Sequence, residues 1–212
     1  MTLKCQIMPV TPFRQNCTLL WDEETRDAVF TDVGGDAPFL LEEAEKLGLN
    51  VKAIWLTHGH LDHAGGVVDM LGKKPLPVIG PHKDDMFLLE SLPEVTANYG
   101  FPVSPSFMPD CWLNEGENLM VGKHCFQVLH IPGHTPGHVV FYSPDDKLLV
   151  AGDVLFYESI GRTDFPRGNH EDLLHNIRTK LFTLPEDTLV IPGHGRTTTI
   201  GHEKMHNPFL SP

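Results

Sequence analysis

The segment 57-THGHLDHAGG-66 carries His58, His60, Asp62 and His63, which are three imidazoles and a carboxylate within six residues. It follows the apolar run 51–56, which predicts that these side chains emerge at the end of a strand and enter the first turn of a helix. Packed so closely, they would repel one another when protonated and would lose hydration. A divalent cation satisfies all of them. The segment therefore predicts a metal site at a strand end.

Three further segments repeat this arrangement. His134 lies in 131-IPGHTPG-137, Asp153 in 150-VAGD-153 and His194 in 191-IPGHG-195. Each of the three residues has a glycine immediately before it and follows an apolar run, so each is expected on a turn at the end of a strand. A single His-x-His pair is more often part of a hydrated loop. The complete set of five histidines and two aspartates favours metal binding.

The composition is that of a globular protein with a substantial core. Its 212 residues, 41% hydrophobic and 21% charged, favour one domain spanning residues 1–212. A net charge of −12 argues against nucleic acid as a partner, because phosphate binding depends on clustered lysine and arginine. The four cysteines form no Cys-x-x-Cys pair and are expected to be reduced. With no apolar run of about 18 residues and no secretory signal near its start, the chain is expected to be cytoplasmic, without membrane binding.

Hydrophobic periodicity predicts a layered α/β sandwich. Apolar runs bounded by Gly, Pro, Asp or Asn predict strands near residues 5–9, 17–21, 28–31, 51–57, 125–131, 139–142, 148–151 and 189–191. Apolar residues at spacings of three and four predict helices over residues 38–47, 62–71, 82–92 and 170–181. Residues 94–116 show no period and are interpreted as a long loop, either a lid or, preferably, a surface crossover. Two groups of strands separated by helices indicate two packed sheets with helices outside.

These motifs, together with 161-GRTDF-165, resemble the metallo-β-lactamase superfamily and, within it, the short form of glyoxalase II, the hydroxyacylglutathione hydrolases. The resemblance covers nearly the whole chain. It implies an α/β fold, the four-layered αββα sandwich, with two metal ions at one edge and Asp62 and Asp153 as catalytic carboxylates. It assigns His58, His60 and His134 to the first ion, Asp62, His63 and His194 to the second, and Asp153 to a bridge between them.

The implied ligand sets suit a catalytic metal site. Three protein ligands and a bridge leave each ion coordinatively open, whereas a structural zinc is closed by four ligands, commonly cysteines. Two ions about 3.5–4 Å apart share a water and lower its pKa toward about 7, so a metal-bridging hydroxide is the expected nucleophile. The mixed nitrogen and oxygen ligands suit zinc, iron or manganese, and zinc is expected.

The resemblance implies a small anionic hydroxyacyl thioester, such as S-lactoylglutathione, as the substrate. A thiolate is a good leaving group, so hydrolysis to a hydroxy acid and free thiol needs no dedicated general acid. Arg162 stands where the resembled enzymes carry a basic substrate-binding residue, and its guanidinium can hold a carboxylate through two bonds. A salt bridge to Asp164 is an equally weighted interpretation of Arg162. Tyr157 and Arg196 are weaker candidates.

The chain departs from full-length glyoxalase II in two ways. Only 18 residues follow His194, too few for the helical domain that supplies glutathione contacts in the longer enzymes. Thr163 and Asp164 occupy the neighbourhood of the tyrosine that accompanies the basic residue in those enzymes. Both departures leave the thiol carrier open.

Two other functions compete with thioester hydrolysis. A persulfide dioxygenase of the same superfamily shares 161-GRTDF-165 and most ligands but uses a single iron. A non-catalytic metal-binding module is the alternative from another class, although ions left open to water argue against it. A β-lactamase is disfavoured because Asp62 and Asp153 match the thioesterase pattern. A monomer or a small homo-oligomer is expected.

Overall fold

Two β-sheets pack face to face in the computed structural model, which describes residues 2–210. Within those residues, the first sheet runs in the spatial order β1 (Leu3–Val10), β2 (Gln15–Asp22), β3 (Asp27–Thr31), β4 (Asn50–Trp55) and β5 (Val78–Ile79). The second sheet runs in the order β13 (Thr198–Thr199), β12 (Leu189–Pro192), β9 (Leu148–Gly152), β8 (Val139–Ser143), β7 (His124–His130) and β6 (Asn118–Val121). A short ribbon pairs β10 (Leu155–Phe156) with β11 (Ser159–Ile160).

Helices cover the outer faces of both sheets. They are α1 (Ala37–Lys46), α2 (Leu61–Ala64), α3 (Val67–Lys73), α4 (Met86–Asn98), α5 (His170–Thr179) and α6 (Ile200–His206). Buried residues of α1, α3 and α4 pack in one core with the first sheet, and those of α5 and α6 pack with the second. Among residues 2–210, no helix combines the length and the hydrophobicity needed to cross a bilayer.

A third core fills the space between the sheets. Successive side chains of a strand point to opposite faces, so Phe141 of β8 and Val150 of β9 join the core between the sheets. Their neighbours Val140 and Leu149 join the core beneath α5 and α6. Three apolar layers therefore separate four layers of secondary structure, which confirms the predicted α/β fold with its αββα order.

The strand directions bring the predicted ligands to one edge. Strand β3 is parallel to β4, and β9 is parallel to β12, so their carboxyl ends lie together in each sheet. The segment that follows β4 carries His58, Asp153 directly follows β9, and His194 lies shortly after β12. An isolated bridge between Gln15 and His194 joins the two sheets beside this edge.

The predicted helix over residues 62–71 is wrong as a single element. It divides into α2 and α3, because Gly65 and Gly66 pack directly against the backbone of Gly34 and Gly35. The close approach needs residues without a side chain and interrupts the helical face.

The predicted helix over residues 82–92 and the loop over residues 94–116 are also misplaced. A 3₁₀ turn occupies Lys83–Asp85, and α4 then continues to Asn98, so the irregular segment starts only at Tyr99. Thr96 extends the buried face begun by Leu89 and Leu92. The helices predicted over residues 38–47 and 170–181 are observed as α1 and α5 with small shifts, and Asn169 caps α5 by accepting from the backbone of Asp172.

Candidate metal centre

The seven predicted ligands lie in one cluster, and the first set of three consists only of nitrogen donors. His58 Nε2 lies 3.1 Å from His60 Nδ1, which in turn lies 3.0 Å from His134 Nε2. A tetrahedral cation with metal–nitrogen bonds of about 2.0–2.1 Å separates its ligand nitrogens by roughly 3.3 Å. The spacing of these three nitrogens therefore fits a single ion.

The second set adds a carboxylate. Asp62 Oδ2 lies 3.0 Å from His194 Nε2 and 3.8 Å from His63 Nε2. Asp153 Oδ2 lies 3.6 Å from both His134 Nε2 and His194 Nε2, and its Oδ1 lies 3.3 Å from His63 Nε2. The carboxylate of Asp153 thus stands between the two sets of donors.

Two buried atoms of the cluster support the fit of this donor set to cations. Within residues 2–210, His63 Nε2 and Asp153 Oδ1 are buried and face each other at 3.3 Å without the geometry of a hydrogen bond. Leaving such polar groups unpaired costs about 1–3 kcal/mol each in a protein interior. Imidazole nitrogen and carboxylate oxygen together are donors that zinc, iron and manganese accept, so divalent cations would satisfy both atoms.

Electrostatics keep the first set neutral. Burial, with the adjacent histidines, holds the pKa of His58 well below its usual range and lowers the pKa of His60 to about 3. Burial also lowers the pKa of His134, although the negative charge of Asp153 acts in the opposite direction and favours protonation. Neutral imidazoles with free lone pairs are the form that binds a metal.

The second set instead attracts positive charge. Burial opposes protonation of His63, but the carboxylates of Asp153, Asp62 and Asp32 raise its pKa well above the usual range. Burial likewise opposes protonation of His194, yet the hydrogen bond to Asp62 raises the pKa. Burial disfavours ionisation of Asp153, but the neighbouring histidines, His63 first, hold its pKa well below the usual range.

Asp32 supports ligands of both sets, and the sequence analysis missed it. His63 Nδ1 donates to Asp32 Oδ2 at 3.0 Å. Thr57 Oγ1 donates to the same oxygen at 2.7 Å and accepts from His58 Nδ1 at 3.0 Å. These contacts hold a proton on Nδ1 of His58 and of His63 and turn both Nε2 atoms into the cluster. The signal in the sequence is a lone Asp after strand β3, which has no neighbouring ligand to mark it.

A second buried carboxylate, Asp85, connects the loops that carry the first set through hydrogen bonds. Its Oδ2 accepts from the backbone of Gly59 at 3.0 Å and from Thr135 Oγ1 at 2.8 Å, and its Oδ1 accepts from the backbone of Gly137 at 2.6 Å. Burial raises the pKa of Asp85 to about 6, although these three hydrogen bonds lower it. Sequence reasoning missed Asp85 because it lies far along the chain from the loops that it connects.

The glycines that precede ligands allow close packing. A Cβ on Gly193 would collide with Asp153 Oδ1, and a Cβ on Gly152, where φ is +48°, would lie 2.6 Å from Thr57 Oγ1. His138 accepts the backbone N–H of Asp153 through Nε2 at 3.0 Å. The support of His138 therefore acts on the backbone of the central carboxylate.

Arg162 lies at the rim of the cluster and makes three contacts there. Its backbone carbonyl accepts from His134 Nδ1 at 2.6 Å. Its exposed guanidinium pairs through two bonds with Asp164, at 3.0 and 2.8 Å, and lies 4.6 Å from the centre of the Phe165 ring. The salt bridge expected as one interpretation is therefore formed. The other candidate cation, Arg196, stacks on Tyr157 instead.

A cavity of about 820 Å³ opens onto the cluster. Its lining combines ligand residues with a mostly apolar wall, in which Arg162 is joined by the acidic Glu94. The apolar part of the lining is Phe13, Leu61, Phe87, Leu88, Leu92, Val95, Tyr99, Phe156, Ile160, Phe165 and Pro166. A pocket that is mainly apolar around a few polar groups is typical of small-molecule sites.

The sequence profile of the metallo-beta-lactamase superfamily matches residues 10–194, which include all seven clustered residues. The chain is also 48% identical over 210 residues to a protein of Haemophilus influenzae named hydroxyacylglutathione hydrolase GloC, and 99% of each chain is covered. The likeness thus extends over the whole length of that relative.

Solved structures show the same fold. The crystal structure of BLEG-1 B3 metallo-beta-lactamase superimposes with a TM-score of 0.91 at 38% identity, covering 99% of this chain and all of that one. The crystal structure of TTHA1623 in a di-iron-bound form superimposes with a TM-score of 0.88 at 37% identity, covering 97% of this chain and 100% of that one. The crystal structure of ETHE1 from Myxococcus xanthus superimposes with a TM-score of 0.76 at 28% identity, covering 98% of this chain and 84% of that one. Profile, relative and structures agree that this chain belongs to the metallo-beta-lactamase superfamily and has its fold.

Proposed function

We propose that this protein is a binuclear metal-dependent hydrolase that cleaves a hydroxyacyl thioester, such as S-lactoylglutathione, to a hydroxy acid and a free thiol. The observation that carries the proposal is the doubled donor set, in which Asp153 Oδ2 is 3.6 Å from a histidine of each set. The similarity to the protein named hydroxyacylglutathione hydrolase GloC supports the choice of substrate.

Each of the two sets would hold one metal ion. His58, His60 and His134 would hold the first cation, Asp62, His63 and His194 the second, and Asp153 both. When bound, these cations supply an ionised water and an electrophilic contact for the substrate carbonyl. Zinc is the proposed metal, while iron and manganese suit the same donors, and the di-iron form of TTHA1623 supports iron as the second choice.

The chain's own residues orient and enclose the reaction. Asp32 fixes the ring of His63, and Thr57 fixes that of His58, so the donors are aligned before a metal arrives. The apolar wall of the cavity excludes water that would otherwise compete around the thioester. Arg162, on the same wall, holds the anionic thiol portion of the substrate by sharing or exchanging its contact with Asp164.

Persulfide dioxygenation is the second candidate function, supported by the resemblance of 161-GRTDF-165 to that branch of the superfamily. A single iron would need only part of the cluster. The complete second set, with Asp62 Oδ2 at 3.0 Å from His194 Nε2, favours two ions and hydrolysis. A metal-binding module without turnover accounts for neither the cavity nor its apolar wall.

The deciding experiment combines metal counting with an anaerobic substrate panel. Purified holoenzyme is analysed for metal per chain and then assayed with S-lactoylglutathione, other acyl thioesters and a β-lactam, with and without a chelator. We expect two ions per chain and chelator-sensitive release of thiol without oxygen. A single iron per chain with oxygen consumption on glutathione persulfide would overturn the proposal in favour of the dioxygenase. Turnover of the β-lactam alone would overturn the choice of a thioester substrate.

The cytoplasm remains the proposed location. All four cysteines are unpaired in the structure, two of them exposed, which suits a reducing compartment. A monomer or small homo-oligomer also remains part of the proposal. The net charge of −12 argues against a nucleic acid partner.

A further inference from the structure

The cavity above the metal centre carries its guanidinium charge beside the first donor set. Arg162 is the single lysine or arginine among the cavity-lining residues in the described part of the chain. Its backbone carbonyl accepts from His134, and its guanidinium lies over the ring of Phe165. The centroid of the Phe165 ring lies 4.8 Å from that of His60. An anionic part of a substrate is therefore expected on the side of the first set.

His194 of the second set has aromatic neighbours instead. The backbone carbonyl of Phe13 accepts from His194 Nδ1 at 3.2 Å, and the Phe13 side chain lines the cavity. The Phe13 ring meets those of Phe101 and Tyr99 edge-on, with centroids 4.9 and 5.9 Å apart. Phe156 of β10 also lines the cavity, and its ring centroid lies 6.3 Å from that of His194. Two phenyl rings therefore border this ligand.

The turn that presents Phe13 is held through its backbone. The N–H of Thr11 donates to Asp36 Oδ2 at 2.9 Å, and the N–H of Phe13 donates to Thr11 Oγ1 at 3.2 Å. A third bond closes the turn from the N–H of Arg14 to the carbonyl of Thr11 at 3.0 Å. None of these bonds uses the Phe13 side chain, so the ring contributes an apolar surface to the cavity rather than the shape of the turn.

The two sides of the cavity suit different parts of a thioester. The glutathione portion carries carboxylates and amides, which Arg162 can bind and phenyl rings cannot. A hydrocarbon group gains from covering the rings of Phe13 and Phe156, by about fourfold in affinity for each methylene removed from water. The lactoyl group offers only one methyl group for this purpose. The aromatic side of the cavity therefore has more apolar surface than a lactoyl group can cover.

We propose that Phe13 and Phe156 form an acyl subsite, and that the preferred substrates are α-hydroxyacyl thioesters with a bulky branched or aromatic hydrocarbon side chain. This inference rests on the proposed thioester hydrolysis and specifies the acyl group. The hydrocarbon side chain lies against the two rings beside His194, and the anionic thiol portion lies towards Arg162.

The test varies the acyl group on one thiol carrier. Loaded holoenzyme is assayed anaerobically with the lactoyl, α-hydroxybutanoyl, α-hydroxyisocaproyl and mandeloyl thioesters of glutathione. We expect kcat/KM to rise by about two- to fourfold for each added methylene. The mandeloyl thioester, whose phenyl group can pack on both rings, should exceed the lactoyl thioester by at least about tenfold.

Variants of the two rings assign this preference to the subsite. Phe13→Ala and Phe156→Ala should each lower the ratio of kcat/KM for the mandeloyl and lactoyl thioesters by about fivefold, and Phe13→Leu should retain most of it. A purely structural defect would lower both values together and leave their ratio unchanged. Phe39→Ala is the matched control, because Phe39 of α1 is 44% exposed, close to the 42% of Phe13, and does not line the cavity.

Binding of the free product acids gives a readout without turnover. Calorimetry on holoenzyme should show mandelate binding at least about tenfold more tightly than lactate, with a smaller difference in Phe13→Ala. Equal affinities for the two acids, equal kcat/KM across the thioester series, or an unchanged ratio in both alanine variants would overturn the acyl subsite while leaving thioester hydrolysis intact. Absence of thiol release from every thioester would overturn the proposed function itself.

Discussion

The two donor sets of the metal centre differ in how they are prepared for an ion. Each set has two buried members and one partly buried histidine, and the imidazoles of the nitrogen-only set resist protonation. The set built on Asp62 includes His194, whose side chain is 30% exposed, and its carboxylates draw protons onto His63 and His194. One set is ready to bind a cation, whereas in the other a cation must displace protons.

This difference shows what a shared carboxylate does. Asp153 lies against both sets, and its charge both opposes the lowering of the pKa of His134 and helps to raise that of His63. An ion in either set would neutralise part of that charge, so occupancy of one set would alter the other. The two sets are therefore chemically distinct but electrostatically linked.

The largest expected effect comes from removing that link. Asp153→Ala deprives both sets of a ligand, so we expect kcat/KM to fall by at least about a thousandfold and the second metal to be lost. Elemental analysis and steady-state thioester assays measure the two consequences. Asp69→Asn, which changes an exposed carboxylate paired with Lys73, is the matched control. Two retained ions together with wild-type turnover in Asp153→Ala would show that the sets act independently.

A smaller effect is expected from Asp32→Asn, which leaves every ligand in place. Asp32 has φ of +57°, and Asn tolerates this left-handed conformation, so the backbone is not strained by the change. Loss of the carboxylate weakens the hold on His63 directly and on His58 through Thr57. We expect metal affinity to fall by about 10- to 100-fold, measured by competition with a chromophoric chelator.

The control for this variant is Asp36→Asn. Asp36 also has a positive φ, of 53°, but its side chain accepts from the backbone of Thr11 and does not touch the metal centre. Equal losses of affinity in the two variants would mean that Asp32 acts only through the stability of its loop.

The third prediction separates the two sets by pH. In the metal-free protein the pKa of His63 is raised well above its usual range, so near pH 7 His63 carries a proton that an incoming ion must displace. The raised pKa of His194 adds to this competition between protons and the ion. His58 and His60 have lowered pKa values and carry none. Affinity of the second set should therefore rise by about tenfold per pH unit for each proton displaced, while that of the first set stays flat.

Variants that keep only one of the two sets intact allow the pH dependence of each set to be measured separately. His194→Ala weakens the second set and leaves the first, and His134→Ala does the reverse. Calorimetry in buffers of different ionisation enthalpy then counts the protons released as each variant binds Zn²⁺. Proton release by His194→Ala that matches or exceeds that of His134→Ala would contradict the assignment.

The sequence alone predicted the layers and the cluster, because both leave local marks. Each of the seven clustered residues follows an apolar strand, and the residues at the ends of parallel strands necessarily meet at one edge. The supporting residues Asp32 and Asp85 were not predictable in this way. Their role depends on contacts with Thr57, Gly59 and Gly137, which are distant in sequence and come together only through tertiary packing.

The errors in secondary structure have the same origin. Nothing in the apolar spacing of residues 62–71 reports the contact of Gly65 and Gly66 with Gly34 and Gly35 that divides the helix. Short strands such as β5 carry too few residues for a detectable period, and they exist because a neighbouring strand supplies the hydrogen bonds. Local pattern therefore predicts the long elements and the clustering of the seven residues well, and long-range packing decides the rest.

The smallest expected effect concerns Arg162, which touches the first set only through its backbone. Arg162→Ala leaves the carbonyl that accepts from His134 in place, so kcat should hold while KM for S-lactoylglutathione rises by about fivefold. Asp164→Ala is the companion variant, because it frees the guanidinium from its exposed pair. If Arg162 binds the thiol portion, this second change should leave KM unchanged or lower it. Equal increases of KM in the two variants would instead assign Arg162 to the salt bridge alone, since either change would then remove the same contact.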